Sequence, residues 1–321
     1  MTRAVARPSP ARSAATKDRV ASAFERAMQE KISTLQLPRG YADVVRTTFR
    51  EIAGALPARN AAAGGPRVVG VCGCQGSGKS TLTAFLKLLL DGDAQPTAIL
   101  SLDDLYLTRH QRERLAREVH PLLATRGVPG THDVALGLET LQRLQNAGAR
   151  SRTPLPAFEK ARDDRKPRKD WQVYKGRPAF ILFEGWCVDA RPQAPAALRK
   201  PVNRLERECD PDGTWRAYVN GRLAGPYRDL FASIDVLLFM QAPSFDCVYK
   251  WRGLQEKKLR RSSHGDAAMN RKELETFIMH YERLTRWMLK EMPGRADILL
   301  PLGSDQDIRA VEIRSREKGH S

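Results

Sequence analysis

Gly73-Cys74-Gln75-Gly76-Ser77-Gly78-Lys79-Ser80-Thr81 is the stretch that decides the reading of this chain, because it completes the pattern G-x-x-x-x-G-K-[ST]. The apolar run Val68-Val69-Gly70-Val71-Cys72 precedes it, and Leu82, Phe85, Leu86, Leu89 and Leu90 follow at the spacing of one helix face. Strand, loop and helix in that order form the context in which such a loop holds phosphate. Glycines at 73, 76 and 78 let the backbone curl with its N–H groups inward. Those groups and the start of the following helix are donors for phosphate oxygens. All nine residues are therefore candidate contacts to a nucleoside triphosphate. Lys79 is expected to reach the β- and γ-phosphates, Ser80 to place its hydroxyl on Mg²⁺, and Thr81 to support the loop or the helix start.

Two later strand ends carry carboxylates. Phe180-Ile-Leu-Phe-Glu184-Gly-Trp186 puts Glu184 at the carboxyl end of an apolar strand, where open α/β sheets hold their ligands. There it is expected to hold Mg²⁺, through water, or to orient a nucleophile. Ile99-Leu-Ser-Leu-Asp103-Asp104-Leu-Tyr106 repeats the arrangement. A pair of carboxylates at this point suits proton acceptance from a hydroxyl, Mg²⁺ binding or capping of the next helix. Two free carboxylates side by side repel, so one catalytic Asp and one supporting Asp is the preferred division.

Around these motifs the pattern is α/β. Strands are expected at 67–72, 97–101, 179–183, 234–239 and 296–300, and helices at 80–91, 134–146, 245–262 and 271–291. This alternation predicts a mainly parallel central sheet flanked by helices. The gaps at 147–178 and 188–232 exceed ordinary connections and are read as insertions or small hairpins. Within the second, Asp210-Pro-Asp-Gly213 and Asn220-Gly221 are turn signals, and Trp215-Arg-Ala-Tyr-Val219 between them reads as a short strand. Ahead of the main domain at 66–310, residues 18–65 are expected to form helices and an Ala/Gly/Pro-rich linker that begins at 57. Residues 1–17 read as a disordered tail and 311–321 as a flexible end.

The 321 residues suffice for one large domain with an appendage, or for two domains, and no apolar run of membrane-spanning length occurs. The N-terminus has no continuous apolar segment of the secretory type. Five cysteines without metal-site spacing suit a reducing cytoplasm. The net charge of +17 admits nucleic-acid binding or anion handling. No helix-turn-helix, zinc finger or aromatic-basic ladder is present, so nucleic acid is the lesser of the two. Late in the chain, Trp251-Arg252-Gly-Leu-Gln255-Glu256-Lys257-Lys258-Leu259-Arg260 reads as a helix that is either a solvated charged face or a mobile cover whose arginines neutralise a transferred phosphate.

Taken together, the motifs resemble the D-glycerate 3-kinase family of plants, fungi and bacteria. The resemblance rests on the phosphate loop, Ser101-Leu-Asp-Asp-Leu-Tyr106-Leu-Thr108, His120-Pro-Leu-Leu123 and Arg126-Gly-Val-Pro-Gly-Thr-His132-Asp133. It rests also on Glu184-Gly-Trp-Cys187, the 251–260 stretch and Phe277-Ile-Met-His-Tyr281-Glu-Arg-Leu-Thr-Arg286. It spans roughly 65–310, in motif order. The family sits among the P-loop kinases beside phosphoribulokinase, uridine kinase and pantothenate kinase. It implies a P-loop NTPase fold with a helical lid, and ATP-dependent phosphorylation of a terminal hydroxyl of D-glycerate to give 3-phosphoglycerate. It implies Asp103 as general base and Glu184 as a metal-associated carboxylate, and a lid contributing Arg252 and Arg260. Catalytic residues are then Asp103, Lys79, Glu184, Arg252 and Arg260, and Mg²⁺ ligands are drawn from Ser80, Glu184 and Asp103. Arg126 and His132 are candidates for acceptor recognition, with Asp104, Tyr106 and Lys160 as further contacts. A carboxylate acceptor suits an arginine clamp. The alternatives are a kinase of a nucleoside, a pantothenate-like acid or a sugar, and an ATP-gated regulatory protein.

Overall fold

The computed structural model describes residues 10–38, 40–56, 65–261 and 269–314, with the side chains of 10–20 and 258–261 outside that description. Ten strands are described: β1 Arg67–Gly73, β2 Thr97–Ser101, β3 Arg152–Leu155, β4 Phe158–Glu159, β5 Asp164–Arg165, β6 Gln172–Lys175, β7 Phe180–Gly185, β8 Val236–Gln241, β9 Ile298–Pro301 and β10 Glu312–Ile313. Six of them form one sheet in the order β10-β9-β8-β1-β7-β2. All its pairings are parallel except β9 with β10. β1 and β7 are buried along nearly their whole length, as expected of strands covered by helices on both faces. The mainly parallel sheet expected from the sequence is thus the fold.

Apolar side chains fill the space on both sides of the sheet. On one side the helix Lys79–Gly92 sends Leu82, Phe85, Leu86 and Leu89 inward, where they meet Met28, Val45, Phe49 and Ile52 of the N-terminal helices. Each such side chain, fully buried, contributes on the order of 2 kcal/mol, which is what fastens those helices to the sheet. The first of them spans Pro10–Thr34 and so begins inside the stretch read as a tail. The second runs Tyr41–Val44, a π turn Val45–Phe49, and Arg50–Ala55. Residues 1–9, most of the linker (57–64) and 315–321 lie outside the described residues. At the other end, β10 occupies part of the 311–321 segment as an edge strand. On the opposite side of the sheet, Val134–Gln145 and the long helix Arg271–Glu291 cover Phe183, Leu237 and Phe239. No helix among the described residues is long and apolar enough to cross a membrane.

The 147–178 insertion is a nested pair of hairpins: β3 pairs with β6, and β4 pairs with β5 inside it. The 188–232 insertion is helical, and here the expected strand at 215–219 is overturned. Thr214–Arg222 is a helix. Gly213 does take a left-handed turn at φ 84°, but the buried Asp210 then receives the free N–H groups of Trp215 (2.8 Å) and Arg216 (3.2 Å). Satisfying those donors starts a helix. Asn220 makes no turn either. Its amide exchanges two hydrogen bonds with the Gln193 backbone, at 2.7 and 3.0 Å. A further helix at Arg109–Glu118 has no counterpart in the sequence reading, because it is almost wholly polar. Its start is a capping box between Thr108 and Gln111.

Candidate active site

β1, β2 and β7 end side by side, and the loops that leave them surround a cavity of about 540 Å³. Beyond β1 the phosphate loop turns through Gly76 at φ 79° and Gly78 at φ 91°, and the helix Lys79–Gly92 begins at once. Gln75, Gly76, Gly78, Lys79, Ser80 and Thr81 face the cavity. Gly73, Cys74 and Ser77 are buried beneath the loop instead, so any contact they make to phosphate is through backbone. Burial pushes the Cys74 thiol up to about 12, which leaves it an inert core group. Lys79 lies curled on its own loop, donating to the Cys74 carbonyl at 3.0 Å.

Parallel register brings the other carboxylates to this loop. β7 pairs with β1 and β2 so that Glu184 stands opposite Val71 and Ser101. Its side chain is 7% exposed and Oε1 accepts from Ser101 Oγ at 2.7 Å and Ser80 Oγ at 3.4 Å. Ser101, a partner the sequence reading did not single out, sits two residues before Asp103 on the same strand end. Two hydroxyls and a carboxylate converging in this way form an all-oxygen donor set of the kind a hard divalent cation takes.

After β2 the chain turns through Leu102–Leu105 and presents Asp103 and Asp104 differently. Asp103 Oδ1 accepts from Tyr106 Oη at 3.1 Å and Oδ2 from Lys160 Nζ at 2.7 Å. Burial raises the Asp103 pKa, but the Lys160 ammonium outweighs it, helped by Lys79, and the carboxyl titrates near 2. Asp104 also borders the cavity, with Oδ1 engaged by the Phe158 amide of β4 at 2.9 Å and its pKa raised by burial. Asp103 turns its charge toward the cavity, and Asp104 ties down the inner hairpin.

That hairpin brings Lys160 to the site. Arg126 reaches the same wall from the loop before Val134–Gln145. It pairs with Asp163 and lies 5.6 Å from the centre of the Phe158 ring. His132 does not reach the cavity, and its expected place among the acceptor contacts is corrected. It stacks behind Tyr106 at 4.5 Å, is 2% exposed, and shares a 2.6 Å hydrogen bond with Tyr227 Oη. Burial lowers its pKa to about 3, so it is a neutral packing group. The remainder of the 126–133 motif is likewise scaffold. Gly127 takes φ 143° directly against Tyr281, and Trp186 donates to its carbonyl at 2.9 Å.

The helix Phe245–Arg261 crosses the mouth of the phosphate loop. Trp251 packs so close to Gly76 that a Cβ there would stand 2.7 Å from the Trp251 Cβ. Arg252 faces the cavity, pairs with Glu256 at 2.6 Å and lies over Phe277 at 5.5 Å. The Arg260 side chain falls outside the described residues. The sequence reading also missed Gln306, which donates to the Gly76 carbonyl from a distant loop that no local pattern connects to the site.

No family model matches the chain. It is 33% identical over 230 residues to the uncharacterized kinase mug58 of Schizosaccharomyces pombe, covering 68% of this chain and 79% of that protein. It is 32% identical over 260 residues to the chloroplastic D-glycerate 3-kinase of Arabidopsis thaliana, covering 77% of this chain but about half, 52%, of that protein. Its fold matches that of D-glycerate 3-kinase from Cryptococcus neoformans with a TM-score of 0.68 at 24% identity, over 84% of this chain and 99% of that one. The chain is an ATP-dependent kinase and belongs to the D-glycerate 3-kinase family of P-loop kinases.

Proposed function

We propose that the chain transfers the γ-phosphoryl group of ATP to the terminal hydroxyl of D-glycerate, giving 3-phosphoglycerate. One observation carries the reading: an ionised carboxylate, Asp103, shares a cavity with the phosphate loop and with the cations Arg126 and Lys160. That combination suits an acceptor with a hydroxyl at one end and a carboxylate at the other. Relatives that bear the name D-glycerate 3-kinase support the choice of acceptor.

In this reading the loop amides and the first turn of Lys79–Gly92 hold the phosphates, helped by the helix dipole. Lys79 leaves the Cys74 carbonyl for the β- and γ-phosphate oxygens. Ser80 and Glu184 are the residues suited to hold Mg²⁺. Asp103 is not assigned to the metal, because its oxygens meet Tyr106 and Lys160 on the acceptor side, whereas Ser80, Ser101 and Glu184 meet one another. When bound, Mg²⁺ supplies charge neutralisation at the β- and γ-phosphates. Asp103 accepts a hydrogen bond from the acceptor hydroxyl and takes its proton as the new O–P bond forms and the bond to the β–γ bridging oxygen breaks. A carboxyl near 2 is a weak base, but a loose transition state asks little of it before the O–P bond forms. The acceptor carboxylate also draws Lys160 away. Burial then raises Asp103, so substrate binding itself strengthens the base. Arg126 forks onto the carboxylate. Arg252, joined by Arg260 on motif position, neutralises the transferring group, and the helix that carries them excludes water.

Five cysteines without metal-site spacing suit a reducing compartment such as the cytoplasm. Mass spectrometry after incubation with MgATP and D-glycerate, L-glycerate, glycerol, pantothenate or uridine tests the acceptor. Phosphoglycerate formed fastest from D-glycerate is expected. Faster product formation from uridine or pantothenate overturns the assignment.

A further inference from the structure

Arg112 is the second largest of the fully buried side chains among the described residues, 1% exposed, and no motif includes it. It lies on the polar helix Arg109–Glu118 and does not line the cavity. Its guanidinium gathers three separate segments. Nε donates to the Leu107 carbonyl at 3.3 Å, Nη1 to the Ala124 carbonyl at 2.7 Å, and Nη2 to the Asp163 carbonyl at 2.7 Å. Nη2 also pairs with Asp163 Oδ2 at 2.8 Å. Leu107 follows the Asp103–Tyr106 turn, Ala124 precedes Arg126 by two residues, and Asp163 sits at the tip of the β4–β5 hairpin. A buried guanidinium costs several kcal/mol in desolvation, and an apolar side chain of the same size would fill the space more cheaply. Packing alone does not explain it.

Asp163 links Arg112 to the cavity. Its φ of 53° is the left-handed region, which a non-glycine residue holds when its surroundings impose it. Arg112 grips both its carbonyl and its Oδ2, while Oδ1 holds Arg126. Both guanidiniums also lie over the Phe158 ring, at 6.0 Å for Arg112 and 5.6 Å for Arg126. Two cations thus share one carboxylate. The Asp163 charge compensates one of them, and the remaining positive charge stands at Arg126, which lines the cavity where Arg112 does not.

We infer that Arg112 is a positioning residue for acceptor binding: through Asp163 it aims the Arg126 guanidinium at the acceptor's carboxylate. This rests on the acceptor reading proposed above. Lysine cannot replace it, because an ammonium is a point charge without the planar fork that reaches Leu107, Ala124 and Asp163 together.

Arg112→Lys and Asp163→Ala, made singly and together, test the inference by steady-state kinetics with D-glycerate and ATP varied separately. Asp163 is a partly exposed hairpin residue, so its variant keeps the test open if Arg112→Lys folds poorly. Each single change is expected to raise the KM for D-glycerate about tenfold and to leave the KM for ATP within about twofold. The double variant is expected to be no worse than either single, since both act through Arg126. Relative to wild type, the variants should lose nothing with glycerol, which has no carboxylate to receive the clamp. An unchanged KM for D-glycerate in both single variants overturns the inference, as does an equal loss with glycerol. Arg126→Met separates the two levels. If it raises the KM for D-glycerate while Arg112→Lys and Asp163→Ala do not, only the positioning role fails. If Arg126→Met itself leaves that KM unchanged, the acceptor reading fails.

Discussion

Lys160 Nζ donates to Asp103 Oδ2 at 2.7 Å and so joins the tip of the inner hairpin to the strand end that carries the proposed base. Sequence separation hides this pairing, since the two residues are 57 positions apart. Lys160→Met removes the ammonium that holds Asp103 near 2, leaving burial free to raise its pKa. The ionised form is then lost on the acid side at a higher pH than in the wild type. The acidic limb of the kcat/KM profile is expected to move upward, and the KM for D-glycerate to rise by roughly tenfold. A pH profile of initial rates measures both, and an unmoved limb would sink the coupling.

Lys79 is the residue expected to meet the phosphates of ATP. Lys79→Ala should lower kcat by roughly 10²–10³, the usual cost of removing one charged donor at a transferring group. The circular dichroism spectrum should be unchanged, because Lys79 anchors only the Cys74 carbonyl in this structure. Full turnover in a coupled kinase assay would remove the phosphate loop from the mechanism.

Gly76 has both a left-handed backbone at φ 79° and Trp251 against it. Gly76→Ala forces either the loop or the covering helix to shift, at about 1–3 kcal/mol. The KM for ATP is expected to rise about tenfold or more, and the melting temperature to fall. A normal KM for ATP would mean that the loop tolerates displacement from Trp251.

His132 makes stability depend on pH. Its pKa is about 3 when folded against an ordinary value near 6.5, so between these limits the unfolded chain binds more protons. Its contribution is fully present above about pH 6.5 and is lost as pH falls toward 3. Well inside that window the loss is about 1.4 kcal/mol per pH unit. His280, also buried and lowered, acts in the same direction. Denaturant midpoints at pH 7, 6 and 5 should fall steeply in the wild type and less steeply in His132→Gln. Parallel slopes would contradict the buried neutral imidazole.

How much was legible in the sequence varies with how local the cause is. The phosphate loop, β1 and Lys79–Gly92 form a contiguous unit, so glycine spacing and helical periodicity specify them together. β7 and the Phe245–Arg261 helix are legible for the same reason. Asp210 is different: it converts 214–222 from an apparent strand to a helix through backbone donors that local propensity does not count. Arg109–Glu118 leaves no apolar signal in the sequence because its one buried side chain is an arginine, which apolar periodicity cannot register.

The sequence by itself determined a nucleotide-binding α/β fold and carboxylates at two strand ends, since apolar runs, glycines and terminal charges within a few residues of one another dictate both. The tertiary structure alone decided which groups face one another. Parallel register set Glu184 beside Ser101 and Ser80, a nested hairpin delivered Lys160 to Asp103 and Asp163 to Arg126, and Tyr106 screened His132 from the cavity. The physical reason is range. Helix and turn signals act within about four residues, whereas the charge on Asp103 is set by a lysine brought across the cavity wall by chain topology.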